Sequence, residues 1–323
     1  MKAVKKYFIT GGAGFIGAHR VNTILDATDA QVTVYDNFST GRRWAYGDRI
    51  SDSRLSIIEA DVRDLPRLTE AMKGHDTVYH FAANSDIASA AKQPDVDFWN
   101  GTYLTHNVLE AMRVNGVKRI FYTSGSGVYG EIGEKPVPED YEHMVPISTY
   151  GASKLASETL ISAYCHMFEM RGTVCRFANV VGPHQTHGVA YDFINRLAKQ
   201  PDKLLIYGDG RQSKPYIDVF DILAAFDLLE KKQKESHNYF NVGSDDHITV
   251  TEIADIVVGK MGLKNVAYDY TGGARGWKAD VPIYRLDTRK IRAMGWSNRM
   301  NSKQAVEASV EAMLDDLKNG RYK

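Results

Sequence analysis

The chain has 323 residues, enough for one large domain or two modest ones with a real core. Its 40 Lys+Arg and 40 Asp+Glu give a formal net charge of zero, so nothing in the overall charge draws it to nucleic acid or an anionic membrane. Its two cysteines, Cys165 and Cys175, have neither metal-ligand spacing nor a secreted-domain pattern, and reduced thiols in a cytoplasm are expected.

Read in chain order, Tyr7-Phe8-Ile9 is a short apolar run that predicts a buried strand. Met1 to Lys6 ahead of it superficially mimic a signal peptide, but the glycines that follow break the apolar stretch. No run is long enough to span a bilayer. Thr10-Gly11-Gly12-Ala13-Gly14-Phe15-Ile16-Gly17 then predicts a tight turn into a helix. Gly11 and Gly12 allow the turn, Gly14 leaves room for a pyrophosphate, and Gly17 lets the helix pack close to the strand. The helix N-terminus offers N–H groups and partial positive charge to an anion. Gln31-Val32-Thr33-Val34-Tyr35 alternates as a second strand, and Asp36 ends it roughly 20 residues past the last glycine, where a carboxylate accepts from a ribose 2′-hydroxyl and repels a 2′-phosphate. Arg42 and Arg43 lie near enough to soften that repulsion.

Strands and helices go on alternating. Leu55–Glu59, Thr77–Ala83 and Arg119–Thr123 read as strands, Leu65–Lys73 and Phe98–Val114 as helices. This predicts a parallel sheet with helices on both faces, and places Asp36, Asp61, Asn84 and Ser124 along the crevice at the strands' carboxyl ends. A long helix from Thr149 to about Met170 is apolar most of the way round, which predicts burial on more than one side. Strand Thr173–Phe177 follows. Beyond Gly182 the pattern loosens: helix Ala190–Lys199, strand Leu204–Ile206, helix Asp221–Lys232, helix Thr249–Met261, strand Val266–Tyr270, a polar stretch Thr271–Asp280 and helix Ser302–Leu317. Residues 1–181 are expected to form one domain and 182–323 a second region that returns segments to the first.

Tyr150 and Lys154 lie four apart at the start of the long helix and share one face. A nearby ammonium favours the phenolate, and such a tyrosine can take a proton from a sugar hydroxyl while hydride leaves the same carbon. His184 and His187 would share a face if helical, but no further ligands for a metal stand nearby and none is expected.

Gly11-x-x-Gly14-x-x-Gly17, Asp61-Val62, Tyr150-Gly151-Ala152-Ser153-Lys154 and Arg176-Phe177-Ala178-Asn179-Val180-Val181-Gly182-Pro183 together resemble the extended short-chain dehydrogenase/reductases. Within them the chain is similar to nucleotide-sugar epimerases of the UDP-glucose 4-epimerase type, along nearly its whole length. The resemblance implies a Rossmann-like doubly wound α/β fold with a smaller C-terminal α/β substrate-binding region, NAD as cofactor and a UDP-sugar as substrate. It implies that Gly11, Gly14, Phe15 and Ile16 hold the pyrophosphate, Asp36 and Asn37 the adenosine ribose, and Asp61 and Val62 the adenine. Ala82 and Ala83 would line the nicotinamide, with Tyr150 as acid/base and Lys154 on the nicotinamide ribose. Asn179, Lys214 and Arg275 would meet the substrate diphosphate, Lys214 standing where the family usually has arginine. A homodimer through the two helices Phe98–Val114 and Thr149–Met170 is implied as well.

Two positions depart from the family pattern. Gly125 occupies the place of the usual catalytic Ser or Thr, leaving Ser124 and Ser126 as alternative hydroxyls, Ser126 also toward the sugar. Asn100 is one residue away from the usual asparagine, with Gly101 in the matching place. The expected reaction is interconversion of UDP-glucose and UDP-galactose or close relatives through a 4-keto sugar. The alternatives are a UDP-glucuronate 4-epimerase, a 4,6-dehydratase or other nucleotide-sugar oxidoreductase, and a non-catalytic NAD-binding regulator.

Overall fold

The structure, a computed structural model, describes residues 4–322. The alternation read from the sequence becomes a seven-stranded sheet. Its strands are β1 (Lys6–Thr10), β2 (Gln31–Asp36), β3 (Leu55–Glu59), β4 (Thr77–His80), β5 (Arg119–Gly125), β6 (Arg171–Phe177) and β7 (His237–Val242), in the order β7-β6-β5-β4-β1-β2-β3. β1 pairs in parallel with both β2 and β4, β2 with β3, and β4 with β5. The chain order reverses at β1, between β2 and β4, and a doubly wound sheet takes its ligand at that switch point.

Parallel strands buried on both faces need continuous apolar runs. β1 supplies Phe8 and Ile9, β2 Val32 and Val34, and β4 Val78 and Tyr79, all at most 1 % exposed. The helices α1 (Phe15–Ala27), α2 (Leu65–Ala71), α3 (Tyr103–Asn115) and α4 (Thr149–Phe168) flank this sheet. Val108, Leu109 and Met112 of α3 and Ile161 and Cys165 of α4 share one core with Phe8, Val78, Ile120 and Val174.

The chain divides into two units. One holds residues 4–125, Thr149–Arg176 and Phe226–Phe240; the other holds Ser126–Ser148, Phe177–Ala225 and residues 241–322. The second unit contains three two-stranded pairings: Asn179–Val181 with Tyr216–Asp218, Lys203–Ile206 with Ala267–Tyr270, and Ser213–Lys214 with Ile248–Thr249. Its core joins Phe193, Ile194 and Leu197 to Ile253, Val257, Val306, Val310 and Met313. Capping boxes, Thr249 with Glu252 and Asn301 with Gln304, start the helices that carry the last five.

Three expectations need correction. The helix expected over Phe98–Val114 opens instead as a π-helical turn, Phe98–Thr102, and becomes α-helical only over Tyr103–Asn115. Asn100 leaves helical geometry there (φ −102°, ψ 24°), as in a turn that absorbs one extra residue. That extra residue matches the one-place displacement of Asn100 in the sequence. The long helix stops at Phe168 because Glu169 turns left-handed (φ 55°) to feed β6. The strand expected over Thr77–Ala83 ends at His80.

Candidate active site

The glycine turn lies against the carboxyl end of β4. Gly11 has φ +67°, and a Cβ there would stand 2.5 Å from the Ala82 nitrogen. Gly17 is tighter still, its Cβ falling 2.2 Å from the Gly11 carbonyl oxygen. Gly14 differs: a Cβ would meet only the Gly11 oxygen, at 3.3 Å. Protein packing therefore explains Gly11 and Gly17, and leaves Gly14 for something that approaches from outside. Helix α1 starts at Phe15 with Gly14 as its cap residue; no side-chain cap and no acidic first-turn residue are found among the described residues. That end suits a pyrophosphate.

Asp36, 7 % exposed at the end of β2, accepts from the N–H groups of Ala13 (2.9 Å) and Phe38 (2.8 Å). Burial pushes its carboxyl up, against those two hydrogen bonds. Arg42 and Arg43 are engaged elsewhere. Arg42 donates to the Thr40 and Gly41 carbonyls, and Arg43 pairs with Glu59 at 2.7 Å while lying over the Phe38 ring. Asn37 donates to Asp61 at 3.3 Å. The Arg63 guanidinium grips the Asp61 carboxylate and holds it down to about 2. Val62 is buried, its carbonyl accepting from Asn107. Ala82 and Ala83 follow β4 and are half-buried. Asn84, four residues past β4, turns its amide to Asp97 and to the Asp86 carbonyl.

Lys154 is 6 % exposed. Its ammonium donates to the Thr123 carbonyl (2.8 Å) and lies 4.9 Å from the Tyr122 ring centre and 5.6 Å from that of Tyr150. Burial brings the ammonium down to about 8, opposed by Glu158 and Asp97. The Tyr150 phenol goes the other way from the sequence expectation. Burial first, then the Asp97 charge, push it up to about 12. Ser124, at the end of β5, is 5 % exposed, and its Oγ finds no partner among the described residues. A buried hydroxyl left unsatisfied costs about 1–3 kcal/mol, so Ser124 is set to receive one.

In the second unit Ser126 and Asn179 both lie near the buried Tyr284 hydroxyl, which burial raises to about 12. The Asn179 side chain also meets Tyr216. Lys214 pairs with Asp280 (2.5 Å), and Arg275 donates to the Asp280 carbonyl (2.9 Å) and pairs with Glu131. Asp280 thus ties together the two cations expected at a diphosphate. Sequence reading missed Asp280, Tyr284 and Asp97, since none lies in a motif by spacing. His184 is left-handed (φ 65°), outside any helix, with Nδ1 3.0 Å from Asp316. No group of His, Cys, Asp or Glu suited to a metal occurs among the described residues.

Fold and site define a doubly wound α/β enzyme with a dinucleotide turn at its switch point and a Tyr–Lys pair on one helix. The profile of the NAD-dependent epimerase/dehydratase family matches residues 7–243. The UDP-glucose 4-epimerase of Corynebacterium glutamicum is 31% identical over 267 residues, 78% of this chain and 79% of that one. A crystal structure of a UDP-galactose 4-epimerase superposes with TM-score 0.86 at 34% identity, covering 97% of this chain and 99% of the other. The dTDP-glucose 4,6-dehydratase DesIV of Streptomyces venezuelae, solved with NAD bound, superposes with TM-score 0.89 at 25% identity, covering 98% and 99%. The chain belongs to the NAD-dependent epimerase/dehydratase family. It is an enzyme of the isomerase type, with NAD as its cofactor.

The residues present fit that cofactor: at Gly14 a Cβ would meet a single protein atom, the Gly11 oxygen, α1 presents an end without a side-chain cap, and Asp36 holds a buried carboxylate beside them. With both nearby arginines engaged, NADP is expected to bind more weakly than NAD by about a few kcal/mol, the size of an anion–anion clash in a partly desolvated site. Parallel titration of the two dinucleotides checks this, and equal affinities would remove the ribose role from Asp36.

Proposed function

We propose that the protein is an NAD-dependent UDP-hexose 4-epimerase that interconverts UDP-glucose and UDP-galactose, or close relatives, through a transient 4-keto sugar. Tyr150 takes the proton of the C4 hydroxyl as hydride leaves C4, and returns it when hydride comes back to the opposite face. Bound NAD supplies the hydride acceptor and, when oxidised, a positive ring that favours the phenolate. Lys154 would hold the nicotinamide ribose. Ser124 or Ser126 offers the C4 oxygen a hydroxyl, and the unpartnered, buried Ser124 Oγ favours Ser124. The first unit takes NAD, through Gly11, Gly14, Phe15, Ile16, Asp36, Asn37, Asp61, Val62, Ala82 and Ala83. The second takes the sugar nucleotide, through Asn179, Lys214 and Arg275.

One observation carries the reaction type. A 4,6-dehydratase must remove the C5 proton and protonate a departing C6 hydroxyl, which needs an acid/base pair beside the sugar. The segment leaving β5, Ser124-Gly125-Ser126-Gly127-Val128-Tyr129-Gly130, contains no carboxylate. The dehydratase remains the second reading, because DesIV superposes as well as the epimerases do. Incubation with several UDP-sugars and no added nucleotide, followed by product separation and mass measurement, decides between them. Epimerised sugar of unchanged mass is expected, without accumulating NADH. A 4-keto-6-deoxy product, lighter by one water, would overturn the proposal.

The same reading includes a homodimer. Met167 on α4 and Val114 on α3 are 71 % and 61 % exposed, and Phe98 and Trp99 are exposed before α3, which supports pairing of these helices with their copies. Light scattering at micromolar concentration is expected to give a dimer; a monomer counts against it. No described helix is long and apolar enough to cross a membrane. We place the enzyme in the cytoplasm, where the buried free thiols of Cys165 and Cys175 stay reduced; cell fractionation checks this.

A further inference from the structure

The carboxylate of Asp97 has no part in the roles assigned so far. It is 1 % exposed and makes no ion pair among the described residues. Its Oδ1 accepts from Asn84 Nδ2 (2.8 Å) and its Oδ2 from Thr149 Oγ1 (2.7 Å), while its backbone carbonyl accepts from Ser153 Oγ (2.7 Å). Thr149 and Ser153 are the residues immediately before Tyr150 and Lys154. One residue thus holds the first turn of α4 at two points, on the stretch that carries both reacting side chains. The π-helical turn makes this approach possible. Gly101 lies so close to α4 that a Cβ would stand 2.2 Å from Ser153 Oγ, and the same Oγ accepts from the Thr102 N–H at 3.0 Å.

A buried carboxylate without a cation is costly, by several kcal/mol where nothing offsets it. Here two neutral donors and the N-terminal end of α4 offset it, since peptide dipoles favour negative charge at that end. Of the other groups around Lys154, Glu158 also favours the charged ammonium, but it already has a cation of its own. Glu158, one turn further along α4, is 1 % exposed and is gripped by Arg176 from β6 through Nε (3.1 and 3.2 Å) and Nη2 (2.7 Å). His80 on β4 sits between the Thr10 and Thr105 hydroxyls, and burial pushes its ring down to about 3, so it is neutral in the working range. Tyr122 on β5 and Tyr150 on α4 are phenols that burial pushes up, and they too are neutral. Asp97 is left as the negative charge near Lys154 that no cation already takes.

We propose that Asp97 is a positioning residue, which clamps the first turn of α4 and adds an unpaired counter-charge for the Lys154 ammonium. This rests on reading Tyr150 and Lys154 as the reacting pair. The same charge works against Tyr150 by favouring its protonated form, so Asp97 keeps the lysine charged at the tyrosine's expense.

The test is Asp97→Asn, which keeps the side-chain shape and removes the charge, with Lys154 followed by NMR of 13Cε-labelled lysine in the chain without substrate. Lys154 is expected to bind its proton about tenfold more weakly in the variant, titrating at lower pH. A folded variant with an unchanged Lys154 titration overturns the proposal. Thr149 is exposed, so Thr149→Val disturbs little packing and serves as the second variant where Asp97→Asn fails to fold. It cuts the side-chain link to α4. Amides 149–154 are expected to exchange with deuterium about tenfold faster, with the rest of the sheet unaffected. Unchanged protection there overturns the clamp. Neither readout involves turnover. A failure of the epimerase reading leaves both intact, and a failure of this proposal leaves the epimerase reading standing.

Discussion

Tyr150→Phe is expected to lower turnover by about 10²-fold or more, while NAD binding stays within about twofold of the unsubstituted chain. The substitution keeps the ring that lies 5.6 Å from the Lys154 ammonium and removes only the oxygen that accepts the proton. The chain itself does little to activate that oxygen. Burial and the Asp97 charge hold the phenol at about 12, above its ordinary value, and the Lys154 ammonium is committed to the Thr123 carbonyl. A raised pKa means that the base form grows with pH throughout the neutral range. Turnover of the unsubstituted chain is therefore expected to climb from pH 6 to pH 8, less steeply once bound NAD lends its positive charge. The residual turnover of Tyr150→Phe should lose that slope. Product separation over the pH series measures both. Undiminished turnover, or a slope that survives the substitution, would mean that another group takes the proton.

The sequence showed the half of the molecule in which local chemistry and fold agree. β1, the glycine turn, β2 and Asp36 are marked by an apolar run, residues of special backbone freedom and a carboxylate at a set distance, and each lies where the pattern puts it. β7 was invisible. His237-Asn238-Tyr239-Phe240-Asn241-Val242 pairs at the sheet's edge, and its first three residues are only half-buried, so it carries no continuous apolar run. The π-helical turn showed only as the one-place displacement of Asn100, because a helix with one extra residue still reads as a helix until its register against α4 is seen. Electrostatics were least legible. The four-residue spacing put Tyr150 and Lys154 on one face and suggested a lowered phenol. The contrary shift comes from burial and from Asp97, 53 positions before Tyr150 and in no motif. Asp280 is similar: spacing marked Lys214 and Arg275 as cations, and only the fold shows one residue holding both.

Gly17→Ala is expected to cost about 3 kcal/mol of stability and to weaken NAD binding about 100-fold or more. Gly17 lies inside α1, where alanine on propensity alone would stabilise by about 1 kcal/mol. The contact outweighs that gain. The added methyl would stand 2.2 Å from the Gly11 oxygen and 2.7 Å from the Gly12 Cα, both backbone atoms that cannot swing aside as a side chain would. The turn and the helix must move apart, which shifts the N–H groups aimed at the pyrophosphate. Gly14→Ala separates the two effects. Its Cβ meets only one oxygen, at 3.3 Å, and φ −75° suits alanine, so the loss of stability should stay near about 0.5 kcal/mol. NAD binding should nevertheless weaken, because the methyl enters the space that the phosphates need. Thermal melts with and without NAD give both quantities, the difference reporting ligand affinity. If Gly14→Ala melts as the parent does and binds NAD equally well, the pyrophosphate does not pass over Gly14. If Gly17→Ala is as stable as the parent, the close packing of α1 on the turn is not what requires glycine there.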